Sequence, residues 1–400
     1  MWVKRWIMLA VFGVIMISMG FVMVILEQNP RSKAFAGLTI VVGILALVTG
    51  IKRVIKSFVM VFLPTGDGGL VDRIYEKRVL DKGPRIVVIG GGTGLSTLLT
   101  GLKQYTSNIT AIVTVADDGG SSGRLRQEFD VLPPGDIRNC LVALADAEPL
   151  MGKLFQFRFS EGGDLAGHSF GNLFITAMTK VTGNFDAAIK ESSKILAIRG
   201  RVLPSTLENT TLVAEHSDGS LTEGESQIPR SGKPVKRVFL RPVNARPTEE
   251  AVEEIARADV IVLGPGSLYT SIMPNLLVGK IYQEIIASKA VKIYVCNVMT
   301  QKGETDDYTA SDHLRAIVAH SAPGIVDYCV INTARIPEDM LRKYEAEEAH
   351  PVIPDPDAIR KLRAKPVEAH IASVKGYIRH DSVKLAKIIV DLVMSVKKKA

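Results

Sequence analysis

The sequence predicts an α/β protein: a doubly wound, mainly parallel sheet with a helical lobe, preceded by two transmembrane helices. Three observations carry that expectation. From about Asp81 onward, short apolar runs alternate with amphipathic stretches. Three of the apolar runs end directly in glycine-rich turns. Ahead of them lie two long uncharged segments of quite different character.

Trp6 to Leu26 gives 21 uncharged, mainly apolar residues, and Ala34 to Ile51 gives a further 18. Each is long enough as a helix for a hydrocarbon core about 30 Å thick. The link Glu27–Lys33 is short, so the pair forms a hairpin with both ends on one side. Lys4, Arg5, Lys52, Arg53 and Lys56 mark that side, against Arg31 and Lys33 at the turn. The bias places the N-terminus and the main domain in the cytoplasm of a two-span protein of the cytoplasmic membrane. A signal peptide would have a shorter apolar run and a small-residue cleavage site. The expected organisation is a membrane hairpin over 1–63, a linker over 64–83 opened by Pro64 and Gly66-Asp-Gly-Gly69, and a globular part over 84–400.

The formal charge of +7 suggests a nucleic-acid partner until it is located. Residues 1–56 hold seven basic side chains against Glu27 alone, a net of +6, which leaves +1 for the other 344 residues. A nearly neutral body argues against an extended phosphate-backbone-binding face. Cys140, Cys296 and Cys329 sit singly in apolar segments without metal-ligand spacing, which reads as buried thiols in a reducing compartment.

Strands are expected at Arg85–Ile89, Ala111–Val115, Val238–Val243, Asp259–Leu263, Val291–Val298, Ile325–Ile331 and Val367–Ala372. Helices are expected at Glu249–Ala258, Lys280–Ser288 and Ser311–Ala322. Residues 134–200 read as consecutive helices (Asp136–Ala145, Ser169–Val181, Phe185–Ile198) and form the lobe. Thr211–His216 and Ser220–Gln227 read as a hairpin about Ser217-Asp-Gly219. Leu385, Ile388, Ile389, Leu392 and Val393 give helical spacing within Ser382–Val396.

The first loop, Gly90-Gly-Gly-Thr-Gly94, opens a helix, where backbone N–H groups and the helix dipole favour an anion. Gly91, Gly92, Thr93 and Gly94 are therefore candidate phosphate contacts. The loop is neither a dinucleotide fingerprint, since Leu95 stands where the third glycine belongs, nor a P-loop. In the second loop, Ala116-Asp-Asp-Gly-Gly-Ser-Ser-Gly123, Asp117 and Asp118 either accept from a ribose, hold Mg²⁺ beside a diphosphate, or cap the turn at Gly119. Arg124 and Arg126 either meet phosphate or pair with the aspartates. Asp136 in Pro133-Pro-Gly-Asp-Ile-Arg-Asn139 is either functional or a first-turn acid. The third loop is Gly264-Pro265-Gly266-Ser267. Loops at the carboxyl ends of parallel strands line one crevice, so a nucleotide diphosphate is the expected ligand.

Gly167-His-Ser-Phe-Gly171 matches the nucleophile-elbow pattern, but the strand that pattern requires does not precede it. His168 and Asn172 remain candidates for ligand contact, whereas His313 and His380 read as ordinary surface or core histidines. None of the nine tyrosines is followed by a lysine four residues on, so short-chain dehydrogenase chemistry is unsupported.

Ile89-Gly-Gly-Gly-Thr-Gly-Leu-Ser96, Val115-Ala-Asp-Asp-Gly-Gly-Ser-Ser-Gly-Arg-Leu-Arg126, Pro134-Gly-Asp-Ile-Arg-Asn139, Gly167-His-Ser-Phe-Gly-Asn-Leu173, Val202-Leu-Pro-Ser-Thr206, Gly264-Pro-Gly-Ser-Leu-Tyr-Thr-Ser271 and Met299-Thr-Gln-Lys-Gly-Glu-Thr-Asp306 together resemble the YvcK-type gluconeogenesis factors. More distantly they resemble the CofD-type 2-phospho-lactate transferases. The resemblance implies a Rossmann-like fold that binds a UDP-sugar such as UDP-N-acetylglucosamine. It implies a regulator linking carbon metabolism to cell-wall synthesis and cell shape, with cell-wall synthesis proteins as partners and a homo-oligomer left open. Gly91–Gly94 and Gly264–Ser267 would flank the phosphates, Asp117 and Asp118 would sit at ribose or metal, and His168 and Asn172 would lie nearby. The alternative is a transferase that moves a 2-phospho-lactate-type group from a nucleotide diphosphate with Mg²⁺. No catalytic constellation is recognisable, which favours the regulator. The membrane hairpin departs from the typical soluble relatives.

Overall fold

Helices α1 (Val3–Leu26) and α2 (Pro30–Phe62) are both long and apolar enough to cross a membrane. They pack antiparallel through small residues that recur every seven positions: Gly13 and Gly20 on one helix, Ala36, Gly43 and Gly50 on the other. A Cβ added at Gly43 would lie 2.9 Å from the Gly13 carbonyl oxygen. Such backbone proximity is how helices associate where burying apolar surface gives no advantage over lipid. The Arg53 guanidinium lies 5.0 Å over the Trp6 ring. The second helix starts at its proline, earlier than expected, and runs on past Ile51 to Phe62.

The computed structural model describes residues 3–26, 29–62, 79–146, 149–345, 348–373 and 377–397. The expected linker with Pro64 and Gly66–Gly69 lies outside the described residues, apart from its last few positions. The chain divides into Met1–Lys77 and Arg78–Ala400.

In the second unit, Ile86-Val-Val-Ile-Gly90 is apolar throughout and forms β1, buried at all five positions, as a strand covered on both faces must be. The sheet continues with β2 (Ile109–Val113) and β3 (Arg201–Pro204). After a separate hairpin motif come strands at Val260–Leu263, Val291–Val295, Tyr328–Asn332 and Lys365–Ala369. Numbered in chain order these four are β7 to β10, because β4 (Thr211–His216), β5 (Leu221–Glu223) and β6 (Val235–Arg241) form their own sheet. The main sheet is parallel with spatial order β10-β9-β8-β7-β1-β2-β3. The order reverses between β1 and β7, so the switch point of this doubly wound sheet falls there.

Two strand expectations need correction. Residues 238–243 do not join the parallel sheet: 238–241 lie in β6, which pairs antiparallel with β4, Val213 opposite Phe239, and Pro242 and Val243 follow it in a turn. The edge strand β3 was not foreseen. Its four residues begin with an exposed arginine and end in proline, and only pairing with Thr110–Val113 makes them a strand.

The helices that position the site are α3 (Gly92–Leu102) after β1, α4 (Gly120–Phe129) after β2, and α5 (Gly135–Leu144). The lobe adds α6 (Pro149–Gln156), α7 (Phe170–Thr182) and α8 (Phe185–Ile195), the first of them unforeseen. Two apolar clusters sandwich the sheet. One is built on Leu95, Leu98, Leu99 and the C-terminal helix Ser382–Lys397, the other on Leu268, Ile272, Leu276 and Ile317. All three cysteines are free and buried within them.

Candidate functional site

The loop after β1 and the loop after β7 face each other because their strands are neighbours at the switch point. A Cβ on Gly94 would stand 2.7 Å from the Pro265 carbonyl oxygen, so only glycine allows the two loops this approach. Gly264 has φ of 80°, a left-handed turn that favours glycine, and the Gly264–Pro265 peptide is cis. Helix α3 begins at Gly92 without a side-chain cap, so its first N–H groups are left for other partners. Thr93 is exposed there, and its hydroxyl makes no hydrogen bond among the described residues.

Together these loops line a cavity of about 520 Å³. Gly91, Gly92, Thr93, Gly94, Pro265, Gly266 and Ser267 form one wall. The opposite wall comes from segments the sequence did not single out as a site. Asn297 to Lys302 supply part of it, and Tyr344, Tyr377, Arg379 and His380 the rest. Gln301 Nε2 donates to Ser267 Oγ at 2.8 Å and ties the walls together. Tyr344 Oη accepts from the Ile378 N–H at 2.8 Å. A small apolar cluster of Val298, Met299, Ile336, Met340 and Ile378 supports this wall. The Arg379 guanidinium lies 5.4 Å from the Tyr377 ring and makes no ion pair among the described residues. Lys302 pairs with Glu348 at 2.5 Å.

His380 was expected to be an ordinary histidine, yet it lines the cavity. Its Nε2 contacts the Cys296 carbonyl oxygen at 3.0 Å, and burial holds its pKa down to about 4, so the ring is neutral at physiological pH. Among the described residues lining the cavity there is no carboxylate; its two charged side chains, Lys302 and Arg379, are both basic.

Asp117, Asp118, Gly119, Arg124, His168 and Asn172 do not line this cavity. Strand β2 lies one place further from the switch point, and its loop turns into a neighbouring polar cluster. Asp117 Oδ1 accepts the Gly119 N–H at 2.9 Å, and Asp118 Oδ1 accepts the Ser226 N–H at 2.8 Å. Ser121 Oγ lies 3.0 Å from His168 Nδ1 and 3.1 Å from Asn172 Nδ2, all three side chains buried. Arg124 donates to the Ala166 carbonyl oxygen at 2.8 Å. Arg126 bonds Asn209 and Thr210. Arg138 donates to Ser169 and to Asn172 Oδ1.

Asp136 joins the two regions. Its carboxylate accepts the Gly92 N–H and lies so near Gly91 that a Cβ there would be 2.5 Å from Oδ2. Burial, reinforced by Asp117, raises its pKa to about 6. Burial also raises Glu225 to about 8, with Asp117 and Asp136 adding repulsion, and Glu304 to about 7. The acids thus concentrate behind the loops rather than in the cavity. Among the described residues, no group of three or more His, Cys, Asp or Glu is arranged to hold a metal. Asp117 and Asp118 each accept one backbone N–H through Oδ1, and both lie outside the glycine-loop cavity.

A doubly wound parallel sheet with two glycine loops meeting at its switch point defines the class: a Rossmann-like α/β protein with its crevice at the carboxyl edge of the strands. The chain belongs to the CofD family, whose model, described as 2-phospho-L-lactate transferase CofD, matches residues 86–372. The gluconeogenesis factor of Bacillus subtilis is 52% identical over 77% of this chain and 98% of its own length. A gluconeogenesis-factor relative from Clostridium acetobutylicum is 46% identical over 98% of this chain and 90% of its own. Relatives thus include some that align across the N-terminal apolar segment, not only the shorter kind. The crystal structure of a Bacillus halodurans protein superposes with a TM-score of 0.76 at 51% identity, covering 77% of this chain and all of that one.

Proposed function

We infer that this chain is a membrane-tethered, nucleotide-sugar-binding regulator. Gluconeogenesis factor is the description its relatives bear; the UDP-sugar ligand and the link to cell-wall synthesis and cell shape are our reading. The observation that carries it is the character of the cavity. Uncapped N–H groups of α3, the Thr93 hydroxyl and the unpaired Arg379 suit a diphosphate, and Tyr344 and Tyr377 offer faces to a base or sugar. Among the described residues no carboxylate lines the cavity, which supports binding over acid–base turnover. Helices α1 and α2 would hold the domain at the cytoplasmic face of the membrane. The transferase alternative would need a carboxylate pair beside the phosphates, and Asp117 and Asp118 lie outside the cavity lining.

The test is calorimetric titration of the full chain in detergent with UDP-N-acetylglucosamine, GDP and NAD, with product analysis. Selective UDP-sugar binding without consumption supports the reading, and metal-dependent consumption of a nucleotide diphosphate defeats it. Thr93→Arg should abolish binding while leaving the melting curve unchanged. Unaltered affinity in that variant would remove the first loop from the site.

A further inference from the structure

The opposite edge of the parallel sheet carries a second, chemically distinct cavity. Where β8, β9 and β10 begin, a recess of about 430 Å³ is lined by Lys289, Lys292, Arg363, Lys365, Asp327 and Tyr328. That volume lies within the roughly 300–1,000 Å³ typical of small-ligand sites. In a globular part whose net charge is close to zero, four cations meet one carboxylate there. None of the four forms an ion pair among the described residues. Lys292 is the most telling: its side chain is 9% exposed, and the polar contact of its ammonium is the Ser288 carbonyl oxygen at 2.9 Å. The lone carboxylate, Asp327, accepts the Lys292 backbone N–H through Oδ2 at 2.9 Å, and against four cations it leaves the recess a formal +3. Lys365 lies over the Tyr328 ring at 5.6 Å, which holds its ammonium at the rim. Val396 completes the lining, and in the sequence Lys397, Lys398 and Lys399 follow it directly.

Grouping like charges around a recess costs free energy when they outnumber the opposite charges beside them. A multivalent anion would remove that cost, and lysine point charges beside an arginine fork are the donors that phosphate takes. The geometry points to a second binding site here for a phosphate-bearing group of at least two negative charges. It is separate from the glycine-loop cavity and independent of what that cavity binds. The same chemistry is offered by a soluble polyphosphorylated metabolite and by the headgroup of an anionic lipid.

The test follows the reactivity of Lys289 and Lys365 toward an acylating reagent, read by peptide mass spectrometry on the full chain in nanodiscs. In zwitterionic nanodiscs, inorganic pyrophosphate at ten times its dissociation constant should slow both lysines roughly tenfold, as mass action leaves about a tenth of the sites empty. In cardiolipin nanodiscs without pyrophosphate, where each headgroup carries two phosphates, the same protection would identify the lipid headgroup as the source. Arg363→Gln, an exposed replacement, should abolish protection from either source. Lys289 and Lys365 reacting at unchanged rates with both probes, or equal protection in Arg363→Gln, would overturn the site. Thr93→Arg must leave this protection intact, which separates its failure from failure of the glycine-loop reading.

Discussion

Replacing Glu304 by glutamine should stabilise the protein at alkaline pH and leave it nearly unchanged in acid. Glu304 is 4% exposed. Its Oε1 accepts the Thr270 hydroxyl at 3.0 Å, while Oε2 has no partner among the described residues. Burial is the largest influence and raises the pKa from 4.5 to about 7, against the opposing hydrogen bonds of Thr270 and the Tyr269 and Thr270 N–H groups. A folded-state pKa above the unfolded one means that the native state holds the proton more tightly. The contribution is therefore full below about pH 4.5 and is lost as pH rises through about 7. Above that, at about 1.36 kcal/mol per pKa unit, the ionised carboxylate costs up to about 3 kcal/mol, an upper bound for a group that interacts with other acids. Glutamine keeps the acceptor toward Thr270 and removes the charge. Differential scanning fluorimetry of the full chain in detergent should show Glu304→Gln melting roughly 5 °C above the parent at pH 8.5, at about 2 °C per kcal/mol for a domain of this size. At pH 5 the two should differ little. Because Glu225 and Asp136 are raised in the same direction, some pH dependence persists in the variant. A melting shift of equal size at both pH values, or a lower melting temperature at pH 8.5, would refute the assignment of Glu304 as a buried, ionisable strain.

Gly94→Val should force the two glycine loops apart, since its Cβ would meet the Pro265 backbone, and cost about 1–3 kcal/mol in a denaturation experiment together with ligand binding. Arg379→Ala should weaken UDP-sugar binding roughly tenfold to a hundredfold by calorimetry, the usual value of a hydrogen bond to a charged group, whereas Lys302→Ala should do less because Lys302 is already paired with Glu348. Gly43→Leu should wedge α1 from α2 and disturb the stacking of Arg53 on Trp6, read as a shift in tryptophan emission.

How much was legible in advance depends on where the information lay. Strands β1 and β7 each announce themselves twice, as an apolar run and as the glycines that end it, so strand and turn signals agree at Gly90 and Gly264. The two N-terminal apolar helices are equally explicit, because length and lack of charge are local properties. Strand β6 mixes three basic residues with its apolar ones and is buried on one face only, yet whether Val238 and Leu240 pair with β2 or with β4 is a tertiary matter. Strand order is likewise unwritten in the sequence, and it decides which loops meet. The Asp117 loop has all the features of the other two and still falls outside the cavity, because β2 stands one place beyond β1. The far wall was invisible for another reason: Tyr344, Tyr377 and Arg379 are single residues on short segments with no repeat or glycine signature. Only the stretch from Met299 to Asp306 gave a signal, and it divides its roles, Gln301 and Lys302 facing the cavity and Glu304 turned behind it.

The glycines themselves admit a more exact account than affinity for phosphate. Gly94 is required by Pro265 and Gly91 by the Asp136 carboxylate, contacts within the protein that hold whether or not an anion is bound. What marks the crevice as a binding site is instead the imbalance left after those contacts are made. Among the described residues the Thr93 hydroxyl makes no hydrogen bond and the Arg379 guanidinium no ion pair, and both line the crevice. A buried carboxylate with a pKa near 6 beneath this loop also implies coupling: charge on a diphosphate bound above it would push the Asp136 pKa higher still. Binding should therefore take up protons between about pH 6 and 7, and affinity should fall as pH rises through that interval. Calorimetry in two buffers of different ionisation enthalpy measures that uptake directly, and an enthalpy independent of buffer would separate Asp136 from the bound anion.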